Sequence, residues 1–160
     1  MMQPIQRHQV AAEIGWLLAE FAYRLDNRSG VGLHELFAVD GQYIIDGEPL
    51  VGRDAIEDAY RRRVARGPRT ARHLFSNARF ESLEGTEALH TSVMLLYAAD
   101  GEPALPLEPP LSIFDVVDHL VHTDEGWLFQ RREFFTVFRG AGSIVSPQSA
   151  MKQTEESSPS

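Results

Sequence analysis

Six histidines, four tyrosines and 23 aspartates and glutamates are the proton-handling side chains of this chain. Cysteine is absent, and Lys152 is the only lysine. Without cysteine there is no thiol nucleophile, no disulfide framework and no thiolate-ligated zinc or iron–sulfur cluster. Lys152 stands in a polar terminal stretch, so neither a Schiff-base lysine nor a phosphate-loop lysine is expected. What remains is imidazole–carboxylate proton transfer, with tyrosine hydroxyls available to polarise an oxygen. His119 and His122, three apart in an extended segment, fall on opposite faces and make a poor metal pair. Gly-x-Ser-x-Gly and Gly-x-Gly-x-x-Gly do not occur. Neither a metal nor an organic cofactor is expected.

The 160 residues are 43% hydrophobic, which predicts one globular domain. Fifteen basic against 23 acidic residues leave a net charge of −8, which argues against a nucleic-acid binder. Neither a leader peptide nor an apolar run of about 18 residues is evident, so a cytoplasmic protein with no membrane partner is expected.

Helical spacing of Val10, Ile14, Leu17, Leu18, Phe21 and Leu25 predicts a helix over residues 5–25. Leu33 to Phe37 reads as a short second helix. Residues 42–45 read as a strand, Asp46-Gly47 as a hairpin turn and residues 48–51 as its return. A third helix over 52–66 carries Ile56, Ala59, Tyr60 and Val64 inward and Arg61, Arg62, Arg63 and Arg66 outward. The outer run is a solvated face paired with Glu57 and Asp58, or a site for an anionic tail. Four strands follow, at 70–83, 87–99, 111–123 and 126–138, with short turns that favour antiparallel pairing. Residues 140–160 read as a disordered tail, which leaves 1–139 as the domain.

The expected fold class is α+β: a cone-shaped α+β barrel with three N-terminal helices packed on a strongly curved, mostly antiparallel sheet. Its mouth is a natural pocket for a small apolar or cyclic molecule. Alternation along the first long strand sends His73, Phe75, Asn77 and Arg79 to one face. His90, near a strand start, reads as a rim residue. Asp115, Val117 and His119 share one face of their strand and Phe114, Val116 and Asp118 the other, and Arg131 or Arg132 on the next strand is placed to pair with either aspartate.

Five fragments occur in a telling order: Phe21-Ala-Tyr-Arg-Leu-Asp26, Leu36-Phe37-Ala38-Val39-Asp40-Gly41, Val51-Gly52-Arg53-Asp54-Ala55-Ile56, Arg72-His73-Leu74-Phe75-Ser76-Asn77 and Gly126-Trp127-Leu128-Phe129-Gln130-Arg131-Arg132. Together they resemble the SnoaL-like branch of the nuclear-transport-factor-2-like superfamily. That branch includes scytalone dehydratase, bile acid dehydratases, hexachlorocyclohexane dehydrochlorinase and polyketide cyclases. The resemblance covers residues 5–139 and implies a cofactor-independent lyase or isomerase in which Asp26 orients His73 as the base. The bland reading of the same pair is a capping carboxylate and a satisfied inward-facing imidazole. Asp118 matches a position where the branch often has an acid near the pocket. Phe21 departs from the dehydratase pattern, which carries tyrosine there, so Tyr23, Tyr43, Tyr60 or Tyr97 must supply any hydroxyl; Tyr60 reads as core. Asn77, Tyr23, Tyr43, Phe21 and Asp118 are the expected substrate-binding residues, with Asn77 or a tyrosine holding the developing charge. The resemblance also implies a homodimer or homotrimer. The alternative is a noncatalytic ligand-binding or assembly module, similar to the small subunit of aromatic-ring dioxygenases.

Overall fold

The computed structural model describes residues 4–140, with side chains from Gln6 onward. The expected tail therefore lies outside the described residues, Gly140 apart. Helix α1 (Pro4–Arg28) buries Ile14, Leu17, Leu18 and Phe21, the stripe that its apolar spacing predicts. It ends where Ser29 and Gly30 turn left-handed (φ 52° and 82°) and the Gly30 N–H donates back to the Arg24 carbonyl at 2.8 Å. A Cβ at Gly30 would lie 2.1 Å from the Tyr60 ring. Gly30→Ala combines a positive φ with that clash, and we expect a loss of about 1–3 kcal/mol in urea denaturation.

The expected second helix is a single 3₁₀ turn, η1 (Leu33–Leu36). Left-handed Gly32 precedes it and Phe37 is already extended (φ −106°, ψ 152°), leaving four residues, too few to propagate an α-helix. The molecule thus has two α-helices among the described residues rather than three; the other is α2 (Arg53–Ala65). None of the described helices is long and apolar enough to cross a membrane.

The strands are β1 (Phe37–Ile45), β2 (Glu48–Val51), β3 (Arg69–Glu84), β4 (Glu87–Asp100), β5 (Ser112–Thr123) and β6 (Gly126–Arg139). They form one sheet in the order β2-β1-β6-β5-β4-β3, antiparallel except where β1 runs parallel to β6. The mostly antiparallel expectation holds, and β1 starts five residues earlier than its apolar run indicates.

Strict alternation fails on β3. Its register with β4 passes from Ser76↔Val93 to Arg79↔Thr91, so two β3 residues oppose one, and Asn77 takes a left-handed φ of 54°. Such a bulge exchanges the two faces of the strand beyond it. Asn77 is accordingly exposed rather than beside His73, and Phe80 turns inward to lie 5.3 Å from the His90 ring.

Candidate active site

Register aligns the interior of the cone in rows that cross neighbouring strands. One row, His73↔Leu96, Leu96↔Ser112 and Ser112↔Arg139, lies along the wall of a cavity of about 570 Å³. Helix α2 closes one side with Tyr60, Arg63 and Val64, and Tyr43, Phe114 and Phe134 add an apolar floor.

His73 is the imidazole on this wall. Its Nδ1 lies 2.6 Å from Asp26 Oδ1, while its backbone N–H donates to Asp26 Oδ2 at 3.0 Å. Both side chains are mostly buried, 15% and 8% exposed. A carboxylate accepts only, so the neutral ring carries its proton on Nδ1. Nε2 is left without a described protein partner, able to accept a proton from a ligand in the cavity. The C-terminal end of α1 positions the carboxylate, and the inward phase of β3 before its bulge positions the imidazole.

Tyr43 and Tyr60 face the same space. Their rings stack with centroids 6.3 Å apart, and the Tyr60 hydroxyl donates to that of Tyr43 at 3.2 Å. Burial lifts both above the ordinary phenol value of 10.0. For Tyr60 the effect is large and Tyr43 adds to it; for Tyr43 the Tyr60 hydrogen bond and the Arg132 charge oppose it. Both hydroxyls therefore stay protonated at neutral pH, and Tyr43, already accepting from Tyr60, has its own proton to give. Raised folded-state values mean the folded chain holds protons that the unfolded chain releases, so stability is flat in these groups below pH 10 and falls as pH rises beyond it. Denaturation at pH 9 and pH 11 is expected to show that fall, reduced in Tyr60→Phe.

A second row runs deeper in the cone. Tyr43, Arg132, Asp118, His90 and Phe80 are successive register partners across five strands. Asp118 and Arg132 are fully buried and His90 is 1% exposed. His90 Nδ1 lies 3.2 Å from Asp118 Oδ2, and Arg132 Nε lies 3.4 Å from Asp118 Oδ1, an ion pair short of hydrogen-bond geometry. Four rings enclose the guanidinium, with Phe21 at 4.1 Å, Phe129 at 4.4 Å, Phe75 at 4.6 Å and Phe134 at 5.3 Å. Cation–π attraction replaces part of the lost hydration there, yet burial still lowers the Arg132 pKa.

The expected residues thus divide. Asp26 and His73 meet, and Tyr43 lines the cavity. Asp118 faces inward but is sealed in the ion-pair row, not on the cavity wall. Phe21, fully buried, is the hub of the aromatic cluster beneath the cavity, in contact with Phe37, Tyr43, Phe75, Phe129 and Phe134. Tyr23 is 53% exposed, on the outer side of α1, because two positions from Phe21 is about half a turn. His90 is buried rather than on the rim. Arg63 turns toward the cavity rather than outward, because it lies one turn beyond Tyr60 on the same helix face. Tyr60 is core and cavity wall at once, and its spacing from Arg63 is the signal that links the two. Arg131 pairs outward with Glu133, leaving Arg132 to Asp118.

A family model for the SnoaL-like domain matches residues 6–133. The chain belongs to this family, within the nuclear-transport-factor-2-like superfamily. Among solved structures it is similar to a candidate scytalone dehydratase from Novosphingobium aromaticivorans, with 23% identity, a TM-score of 0.70 and coverage of 84% of this chain and 88% of that one. ActVI-ORFA from Streptomyces coelicolor shares 19% identity at a TM-score of 0.68, over 81% of this chain and 98% of that one. A candidate aromatic ring hydroxylase from Novosphingobium aromaticivorans shares 16% at 0.73, over 91% and 99%. At these identities the likeness is one of fold. No curated protein matches.

Proposed function

We propose that this SnoaL-like domain is a cofactor-independent lyase or isomerase acting on an apolar, cyclic small molecule. The 2.6 Å contact between Asp26 and the cavity-wall imidazole of His73 carries the reading. His73 Nε2 takes a carbon-bound proton, and the electron pair passes to an adjacent carbonyl as an enolate. Tyr43, rather than the outward-facing Asn77, donates a hydrogen bond to that oxygen. The enolate then expels a β-substituent, as in a lyase, or is reprotonated at another carbon, as in an isomerase. A solid cone supports a noncatalytic module; the cavity beside a partnered base supports the enzyme. Solvent deuterium uptake by a panel of bicyclic ketones and β-hydroxyketones, followed by proton NMR, tests the proposal. Uptake with the native chain that disappears in His73→Ala supports it; equal uptake by both removes His73 from the chemistry.

The outer sheet face supports a homodimer or homotrimer. Leu74, Leu95, Ile113 and Phe138 are successive register partners there, with Leu74 51% and Phe138 66% exposed, and Phe135 and Val137 lie nearby. Contiguous apolar surface of this kind favours association. Sedimentation is expected to give a dimer or trimer, and Leu74→Glu combined with Phe135→Glu a monomer. A native chain that sediments as a monomer rules this out.

A further inference from the structure

The mouth of the cavity is basic on one side. Arg63, in the last turn of α2, and Arg69, at the start of β3, both line it. Arg63 is partly buried, and its one described hydrogen bond goes to the Gly67 carbonyl at 3.2 Å; among the described residues no carboxylate forms an ion pair with it. Arg69 reaches Asp100 at 3.3 Å, but that carboxylate is 83% exposed. Burial first, and then the charges of Arg69 and Arg66, lower the Arg63 pKa, and Asp100 offsets them only in part. Of the other acids on the rim, Asp46 is held by Thr136 and Arg139, and Glu102 forms no described ion pair with either arginine.

Between these arginines and His73 the wall is small and apolar. Ala71 and Ala98 are register partners and both line the cavity, with Leu25, Val64 and Leu96 beside them. Arg69 and His73 lie four residues apart on one face of β3, a span of about 13 Å in an extended strand. The cavity thus has a base at one end, an apolar channel and, at the other, two guanidiniums that share one solvent-exposed carboxylate, Asp100.

We propose that the ligand of this site is amphipathic, an apolar ring system beside His73 joined to a carboxylate that pairs with Arg63 and Arg69 at the mouth. This rests on the reading of the cavity as a substrate site and adds the chemical class. Guanidiniums match a carboxylate in planar, two-pronged fashion, and a half-buried pair of them is stabilised when an anion arrives.

Titration calorimetry with 4-(2-naphthyl)butanoate, its primary amide and 4-(2-naphthyl)butyl phosphate tests the assignment. The carboxylate is expected to bind about tenfold to a hundredfold more tightly than the amide. Arg63→Gln with Arg69→Gln should erase that preference while leaving amide affinity and melting temperature near native. Equal affinity for acid and amide, or no binding of either at millimolar concentration, overturns the proposal; tighter binding of the phosphate overturns the carboxylate assignment. Deuterium uptake by the native chain separates the two readings: a carboxylate preference in a native chain that exchanges no substrate proton keeps the anion subsite and removes the lyase, and exchange without that preference does the reverse.

Discussion

Alanine at position 73 is expected to slow turnover of a competent substrate by about 10²–10⁴-fold, the usual worth of a positioned general base. The melting temperature should stay close to native. Asp26 holds the backbone N–H of residue 73 as well as the imidazole, and alanine keeps that N–H, so the carboxylate is not orphaned. Asp26→Asn gives the sharper test. The asparagine carbonyl can still accept the backbone N–H, but its amide then presents a donor to Nδ1. The neutral ring responds by moving its proton to Nε2, the atom that must be free to accept one. Turnover should fall about as far as with alanine at 73, with the imidazole still in place. Long-range proton–nitrogen NMR reads the tautomer directly: Nδ1–H in the native chain, Nε2–H in the variant. Asp26→Asn turnover near native would show that orientation by the carboxylate does not matter.

The second large effect concerns stability. Asp118→Ala should cost about 3–5 kcal/mol in urea denaturation, because it strands the Arg132 charge in a fully buried site. His90 would lose its partner in the same step. Asp118→Leu combined with Arg132→Leu removes both charges, and it should recover much of the loss, since a buried ion pair is often no better than apolar residues of similar volume. A cost below about 1 kcal/mol for Asp118→Ala would mean that the aromatic rings alone carry the guanidinium. The residues in this row lie outside the proton-transfer pair, so the effects at 73 and at 118 should separate: the first in rate, the second in stability.

Much of this was legible in the residues. The α1 stripe, the Asp46-Gly47 turn and the long β strands follow from periodicity and turn chemistry, which are local. Asp26 and His73 were legible only through resemblance, because their contact spans 47 positions and no local pattern encodes it. The failures share a cause in register. Asn77 and Phe80 exchange faces because of one additional residue in β3, and alternation counted from His73 does not detect a bulge. His90 reads as a rim residue until β4 is aligned with β5, when Asp118 falls directly opposite. Tyr23 shows the helical counterpart: its hydroxyl marks it for the pocket, but its phase on α1 turns it to solvent.

The one parallel pairing has a bearing on how the chain is made. Strand β1 finds its partner β6 only after roughly ninety further residues, with Tyr43 opposite Arg132 and Ile45 opposite Phe134. During synthesis the β1–β2 hairpin therefore leaves the ribosome with its β1 edge unpaired as well as its β2 edge, and the β1 edge stays open until nearly the whole domain has been translated. Pairing at such separation is slow, and a waiting strand edge invites misassociation. Chains stopped short of residue 126 lack β6 altogether, and should accumulate as aggregation-prone fragments rather than as smaller folded cones.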